Sequence, residues 1–323
     1  MLEGERLLSA FRKVWATNVN KSIIVAVVLL AVLPLIPYVP YAIAIDVLIF
    51  GLLALGYNIV QGHMGQVSFG LAAFFGLGAY FAGLFAYHVD IPSSAAWIWL
   101  ILSVAATGVV AFGMGAVVLR RRGAYFALTN LAFLQMFYYI ILQLKDITGG
   151  DDGIWGISTP TFGAIQLTPM SLYYLCFVVF VVCLLLMKRM ILDSPSALVL
   201  HAIRQDEARA QSLGYNVYGQ MLKAYTLSGI FSGVAGAMYF LEMQYIGLSY
   251  LHWSLNGEVI AMVMLGGSGT FIGPLLGAGI LIVLKDVVSM YTIHWMIIVG
   301  VLIMVVILRM REGILGVFKS LRF

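Results

Sequence analysis

The sequence predicts an all-α polytopic membrane protein of about ten transmembrane helices, in two internally related halves with glycine-broken segments. Three observations predict it. The 323 residues are 62% hydrophobic and only 10% charged, with a mean hydropathy of +1.01, whereas a soluble domain carries about 45–50% apolar and about 25% charged residues. The apolar residues fall into uncharged runs of bilayer length, not the alternating segments of about ten residues that build a membrane β-barrel. The Lys and Arg residues gather in short clusters between those runs. So few charges cannot cover a surface in water, which excludes a soluble enzyme, a disordered chain and a disulfide scaffold.

Residues 1–21 are polar and amphipathic and read as a cytoplasmic N-terminal segment. The first apolar run, Ser22 to Ile45, is too long for a signal-peptide core and no small-residue cleavage site follows it, so it reads as a retained span. Further uncharged windows are Val47 to Val89, Ile91 to Leu119, Gly123 to Leu144, Gly153 to Met187, Ala224 to Leu241, Val259 to Leu284 and Val287 to Leu308. Cys176 and Cys183 lie in one of these runs. A helical rise would hold them about 10 Å apart, too far for a disulfide.

Sixteen of the 18 Lys and Arg residues sit in four clusters: Arg6, Arg12, Lys13 and Lys21; Arg120, Arg121 and Arg122; Lys188, Arg189, Arg204, Arg209 and Lys223; and Arg309, Arg311, Lys319 and Arg322. The positive-inside rule places all four clusters, and both termini, in the cytoplasm. The net charge of +4 is therefore a topology signal and not a nucleic-acid footprint. An even number of crossings must separate consecutive clusters. Four fit before Arg120, at about 22–40, 42–60, 67–88 and 96–118, and two before Lys188, at about 124–144 and 169–187. Between Lys223 and Arg309 three windows give the wrong parity. The run Gly266, Gly267, Ser268, Gly269, followed by Gly273 and Pro274, supplies a break and four segments, at about 224–246, 256–266, 272–285 and 291–308. A piece ending at Gly266 is too short to cross alone, which puts the break inside the membrane. Irregular backbone is tolerated there only when buried in protein or lining a cavity. Residues 22–308 thus form one transmembrane domain, and 309–323 a cytoplasmic tail.

The same arrangement occurs twice. Gly62, Gly65, Gly70, Gly76 and Gly78 lie between the second and third spans; Gly267, Gly269, Gly273, Gly277 and Gly279 lie between the eighth and ninth. Broken segments at matching positions point to a transport site at a repeat interface. Gly229 and Gly233 read instead as close-packing glycines. The candidate path comprises Asn58, Gln61, Gly62, His63, Gly65, Gln66, Ser68, Asn130 and Gln135 from the first half, and Gly266, Gly267, Ser268, Gly269 and Thr270 from the second.

Charges are missing where an ion-coupled carrier keeps them. Asp46, Asp90, Glu242, Glu258, Lys285 and Asp286 fall at expected outer ends, and none lies mid-span, where a charge costs at least about 2.5–3.5 kcal/mol. His63 stands alone near the first break, and no cluster of metal-ligating residues accompanies it. The chain has no phosphate-cradling Gly-x-x-x-x-Gly-Lys-Ser/Thr loop. Energy for pumping would enter through a partner, and the longest cytoplasmic loop, 191–223, is where a partner can push. Ser194 and Ser196 flank Pro195, a helix start. Residues 197–213 read as one helix with Leu198, His201, Ala202, Asp206 and Arg209 along a face, stopped by Gly214. Its mixed charges favour docking on a protein over lying on lipid.

Four stretches carry a resemblance: GYNIVQGHMGQVSFG (Gly56–Gly70) with AAFFGLGAY (Ala72–Tyr80); LRRRGAYFAL (Leu119–Leu128), running on to TGGDDG (Thr148–Gly153); AIRQDEARA (Ala202–Ala210) with Leu213 and Gly214; and MLGGSGTFIGP (Met264–Pro274) with Gly277 and Ala278. In these the chain resembles the LIV-type permease subunits of bacterial ABC importers, the branched-chain amino-acid family, and its LivM branch. The resemblance implies an inner-membrane transport subunit that does no chemistry and binds no cofactor itself. Its partners would be a second, LivH-like permease subunit, two ATP-binding subunits that hold ATP and Mg, and a periplasmic substrate-binding protein. It also implies that His201, Arg204, Asp206, Glu207, Ala208, Arg209 and Gly214 belong to a loop like the "EAA" coupling loop. The Glu207-to-Gly214 spacing is seven where that motif has six. The periplasmic loop 145–168, with Thr148, Gly149, Gly150, Asp151, Asp152 and Trp155, would face the binding protein. Leu71 and Asn130 depart from the family pattern. The implied cargo is a branched-chain or related small amino acid. Urea, an amide or an aromatic carboxylate carried by the same mechanism is the first alternative, and a stand-alone secondary transporter or channel the second.

Overall fold

Hydrocarbon offers backbone amides no partner, so each apolar run closes its own hydrogen bonds as a helix. The computed structural model describes residues 21, 23–35, 40–88, 96–155, 161–162, 165–166, 168–309 and 313–314. Its first half contains α1 (Ile23–Val32), α2 (Tyr41–Asn58), α3 (Ala72–His88), α4 (Ala96–Val118), α5 (Ala124–Gln143) and the single turn α6 (Lys145–Thr148). Its second half contains α7 (Pro169–Met187), α8 (Pro195–Gln205), α9 (Glu207–Ser212), α10 (Val217–Met243), α11 (Ser254–Gly266), α12 (Gly273–Tyr291) and α13 (Trp295–Arg309). A two-residue antiparallel pair, Thr161–Phe162 with Ile165–Gln166, and a bridge between Ile154 and Ile246 are the extended pairings among the described residues.

The expected ten spans meet a smaller number of spanning length. Six described helices, α2, α4, α5, α7, α10 and α12, are long and apolar enough to cross a bilayer; α1, α3, α11 and α13 are shorter apolar helices. For α3 and α11 the reason is visible. The chain uses residues 64–71 and 244–253 on largely irregular backbone before each helix begins.

Burial sorts the helices into a centre and a ring. The apolar window of α2 is 83% buried and that of α10 is 72%, against 28–39% for α4, α5, α7 and α12. Small residues let the central helices touch. Ser228 of α10 donates its hydroxyl to the Gly56 carbonyl of α2 at 2.7 Å. A side chain at Gly236 would run into the Phe75 carbonyl of α3, and one at Gly78 into the Gly233 carbonyl. Gly229 and Gly233 are close-packing glycines, as expected; Gly76 and Gly78 are too, sitting inside α3 and not in a break. Without a hydrophobic drive between helices in lipid, such contacts supply the association energy.

The described residues around the Arg120–Arg122 and Arg204–Lys223 clusters and beyond Arg309 converge on one end of the bundle. Arg122 pairs with Glu207 at the start of α9, Tyr218 at the start of α10 bonds Ala116 near the end of α4, and Gly313 beyond Arg309 packs on Gly267. At the other end, Tyr173 at the start of α7 bonds the Leu30 carbonyl of α1, and His88 bonds the Ile147 carbonyl at 3.1 Å. Arg6, Arg12, Lys13, Arg311, Lys319 and Arg322 lie outside the described residues.

The single helix expected over residues 197–213 is two. Ser194 caps α8 through Ser196 N with Pro195 in the first turn, and Gly214 at φ +84° ends the loop, both as expected. Asp206 breaks the run: its backbone is extended and its carboxylate accepts from Arg209 N at 3.0 Å, a new N-cap for α9. The buried face is Leu200, Ile203 and Ala210, not the expected face through Leu198, which is 56% exposed.

Candidate functional site

The two glycine-rich breaks meet at the basic end, and one side chain joins them. Asn58, the last residue of α2, is buried. Its Nδ2 donates to the Thr270 carbonyl at 2.8 Å and its Oδ1 accepts from Gly269 N at 2.9 Å. One carboxamide thereby satisfies both a donor and an acceptor of the opposite break. This is a specific use of Asn, because neither Asp nor Leu offers both groups.

The first break starts as a π-turn, Ile59–His63, that widens the end of α2. Gln61 and His63 lie in it, and Gln61 Oε1 has no hydrogen-bond partner among the described residues. Gly65 at φ +76° turns the chain back toward the bundle. Tyr57 then holds the returning strand: its hydroxyl donates to the Ser68 carbonyl at 2.8 Å and accepts from Ser68 N at 3.2 Å. Gln66 Oε1 accepts from Gly123 N at 3.3 Å, which ties the break to the start of α5. Gly70 packs on the Asn130 backbone, and Asn256 Oδ1 receives Ala72 N at 3.0 Å, where α3 begins. Asn256 is 1% exposed and its Nδ2 has no partner among the described residues.

The second break runs from Gly266 to Gly273. Gly267 at φ +108° ends α11, and Thr270 folds its hydroxyl back to the Gly267 carbonyl at 2.7 Å. A side chain at Gly266 would overlap the Gly273 carbonyl, so the two helix ends can meet only through glycine. Ser268 faces outward, exposed.

Arg204 reaches this junction from α8. Its guanidinium donates to the Gly62 carbonyl, its aliphatic stem lies against Gly65, and Nη1 stands 2.8 Å from where a side chain at Gly269 would begin. The 191–223 loop therefore touches both breaks through one residue. A second tie anchors the loop: Arg122 Nε donates to both Glu207 carboxylate oxygens at 2.8 Å, and Nη2 lies 2.6 Å from Oε1. Asp206, Ala208, Arg209, His201 and Gly214 remain exposed; His201 Nε2 stands 3.2 Å from Gln205 Nε2.

Other sequence-selected residues lie apart from the junction. Asn130 is buried on α5, donating to the Phe126 carbonyl at 2.9 Å and accepting from the Tyr225 hydroxyl of α10. Gln135 is half-buried further along α5. At the far end, Thr148 is buried, its hydroxyl donating to the Ile141 and Leu144 carbonyls at 2.7 and 2.9 Å. Gly149 and Gly150, both with positive φ, turn the loop out to exposed Asp151 and Asp152. Trp155 is 67% exposed; its indole bonds the Asp152 carbonyl and its ring lies 4.0 Å from that of Tyr245. The charged residues nearest this end include a Lys285–Glu258 pair at 3.3 Å, while Asp46 Oδ1 and both Glu242 oxygens lack hydrogen-bond partners among the described residues.

Sequence reasoning selected Asn58, Gly62, Gly269, Thr270 and Arg204, but in two separate groups. It missed Tyr57, Tyr225 and Asn256, and the pairing of Arg122 with Glu207. Asn256 carried a usable signal, as a lone amide at the head of an apolar helix. The others carried none, since their partners lie 11 to 95 residues away.

An apolar bundle with two broken helix pairs at its basic end, joined there by a polar loop, has the build of a transport subunit. The chain belongs to the branched-chain amino acid transport system permease component family, whose model matches residues 39–308. It is 27% identical over 297 residues to the high-affinity branched-chain amino acid transport system permease protein LivM of Salmonella typhimurium, covering 84% of this chain and 69% of that protein. To the LivM of Escherichia coli K12 it is 26% identical over 328 residues, covering 93% and 76%. To a probable LivM of Methanocaldococcus jannaschii it is 24% identical over 199 residues, covering 59% and 57%.

Proposed function

We propose that this chain is the membrane-spanning subunit of an ATP-driven importer that carries branched-chain or related small amino acids across the bacterial inner membrane. The observation that carries the reading is the Arg204 contact with both glycine breaks. In this reading the ten apolar helices are the ten membrane segments, the two breaks are related halves of one gate, and the basic end, with both termini, faces the cytoplasm. A LivH-like second permease subunit completes the path. Two partner ATPases bind and hydrolyse ATP with Mg, and a periplasmic binding protein delivers cargo to the Asp151, Asp152 and Trp155 loop. The chain itself performs no covalent chemistry.

The gate works as a latch. With Arg204 on the Gly62 carbonyl and Asn58 across Gly269 and Thr270, the breaks are held together and the cytoplasmic mouth is shut. When nucleotide closes the ATPase pair, the exposed faces of α8 and α9 move with it and Arg204 withdraws. The neutral lining meets a zwitterion with backbone dipoles and amides in place of fixed charges.

The test is Arg204→Ala in proteoliposomes holding the complete transporter. A hydrogen bond from a charged donor is worth about 1.5–3 kcal/mol, so coupled uptake falls about tenfold or more while ATP hydrolysis persists, and preloaded cargo leaks out. Arg204→Lys restores part of the seal. Wild-type uptake with no leak in Arg204→Ala contradicts the latch.

A further inference from the structure

A cavity of about 670 Å³ opens on the flank of the bundle, between α4, the α7–α8 turn and the first half of α10. It is separate from the junction of the breaks. Its walls include Phe112 and Leu227; its rim carries Arg189, Ser194, Gln220 and Lys223. Depth sorts these residues. Phe112 precedes Arg120 by eight positions, about 12 Å into the membrane from the basic boundary, and Leu227 lies about 6 Å beyond Lys223 along α10. The walls are thus at acyl-chain depth and the rim at headgroup depth. Arg189 and Lys223 are exposed and make no ion pair among the described residues. Gln220 Oε1 is buried with no hydrogen-bond partner among the described residues.

We infer that this cavity binds one anionic phospholipid of the cytoplasmic leaflet, for which phosphatidylglycerol is the probe. The phosphate sits between Arg189 and Lys223, and an acyl chain lies along Phe112 and Leu227. The volume is within the range that holds small ligands, and paired basic residues at cytoplasmic depth are the electrostatic complement of an anionic headgroup. Because Ser194 and Leu200 of α8 also border the cavity, an occupied site props the base of the loop that carries Arg204. The inference rests on the membrane-spanning reading and the orientation proposed above, and not on the identity of the cargo.

The experiment measures phosphatidylglycerol retained by the purified transporter after detergent washing, by mass spectrometry, for the wild type, Arg189→Gln/Lys223→Gln and Arg189→Lys/Lys223→Arg. Each basic residue near the surface is worth about fivefold in lipid affinity. The Gln variant therefore loses about 25-fold and the charge-conserving variant binds as wild type, with Arg120→Gln/Arg121→Gln as the control that leaves retention unchanged. Equal retention in the Gln variant, or equal retention of phosphatidylcholine, overturns the proposal. A photoreactive benzoylphenylalanine in place of Phe112 identifies the occupant independently. A lipid-sized adduct is expected, and an adduct the size of a second subunit assigns the cavity to protein contact and overturns it. Coupled uptake, measured on the same preparations, reports separately on the transport reading.

Discussion

Asn58 makes the closest thing to a double staple in this protein, since both ends of one side chain close the opposite break. Asn58→Leu removes both bonds and leaves Gly269 N and Thr270 O without partners, at about 1–3 kcal/mol each. Uptake at matched membrane levels is expected to fall about tenfold or more. Asn58→Asp keeps the acceptor for Gly269 but points an oxygen at the Thr270 carbonyl, so it is no rescue. Arg122 and Glu207 allow a cleaner test. Each is about one-third exposed, and a pair in that setting contributes little to stability by itself; its effect is to fix α9 against the α4–α5 turn. Arg122→Glu is expected to lose uptake, and Arg122→Glu with Glu207→Arg to recover most of it in a whole-cell uptake assay. Tyr225→Phe strands the buried Asn130 Oδ1 and lowers Tm by several degrees in a detergent melt, because an unsatisfied acceptor inside the bundle retains its desolvation cost.

Glycine decides where helices end and how closely they cross, and the two roles respond differently to substitution. Gly236→Ala and Gly277→Ala place a methyl on the carbonyls of Phe75 and Met262. Backbone cannot yield as a flexible side chain does, so both variants are expected to lose folded protein on size-exclusion in detergent. Gly113→Ala, with open space around it, is expected to behave as wild type. Much of this level could be read in the sequence. The stop at Gly266, the start before Pro274, the cap at Ser194 and the stop at Gly214 all follow from local chemistry that acts within a few residues. The break at Asp206 was legible in principle, because Asp three residues before Arg209 is an N-cap spacing, but the surrounding helical pattern outweighs it. The irregular stretch 244–253 was not legible. Its residues pack against Gly76 and Gly83 of α3, and nothing in their own order announces a partner more than 160 positions away. The junction itself divides the same way: the glycine breaks show locally, whereas the bonds from Asn58 and Arg204 that unite them depend on how the whole chain folds.

Among the described residues the fixed charges lie toward the ends of the helices, with Arg122, Arg204 and Glu207 where the loop meets the breaks. In the mechanism proposed above, the 191–223 loop is the handle by which outside work enters. In that mechanism the chain is a gate whose two halves are closed by default and opened by a partner. The most direct measurement is uptake of radiolabelled leucine into proteoliposomes containing this chain and its companion permease and binding protein, with and without the ATP-binding subunits, under an imposed proton or sodium gradient. Accumulation only when the ATPases and ATP are both present is the result expected here. Accumulation driven by the ion gradient in their absence contradicts it.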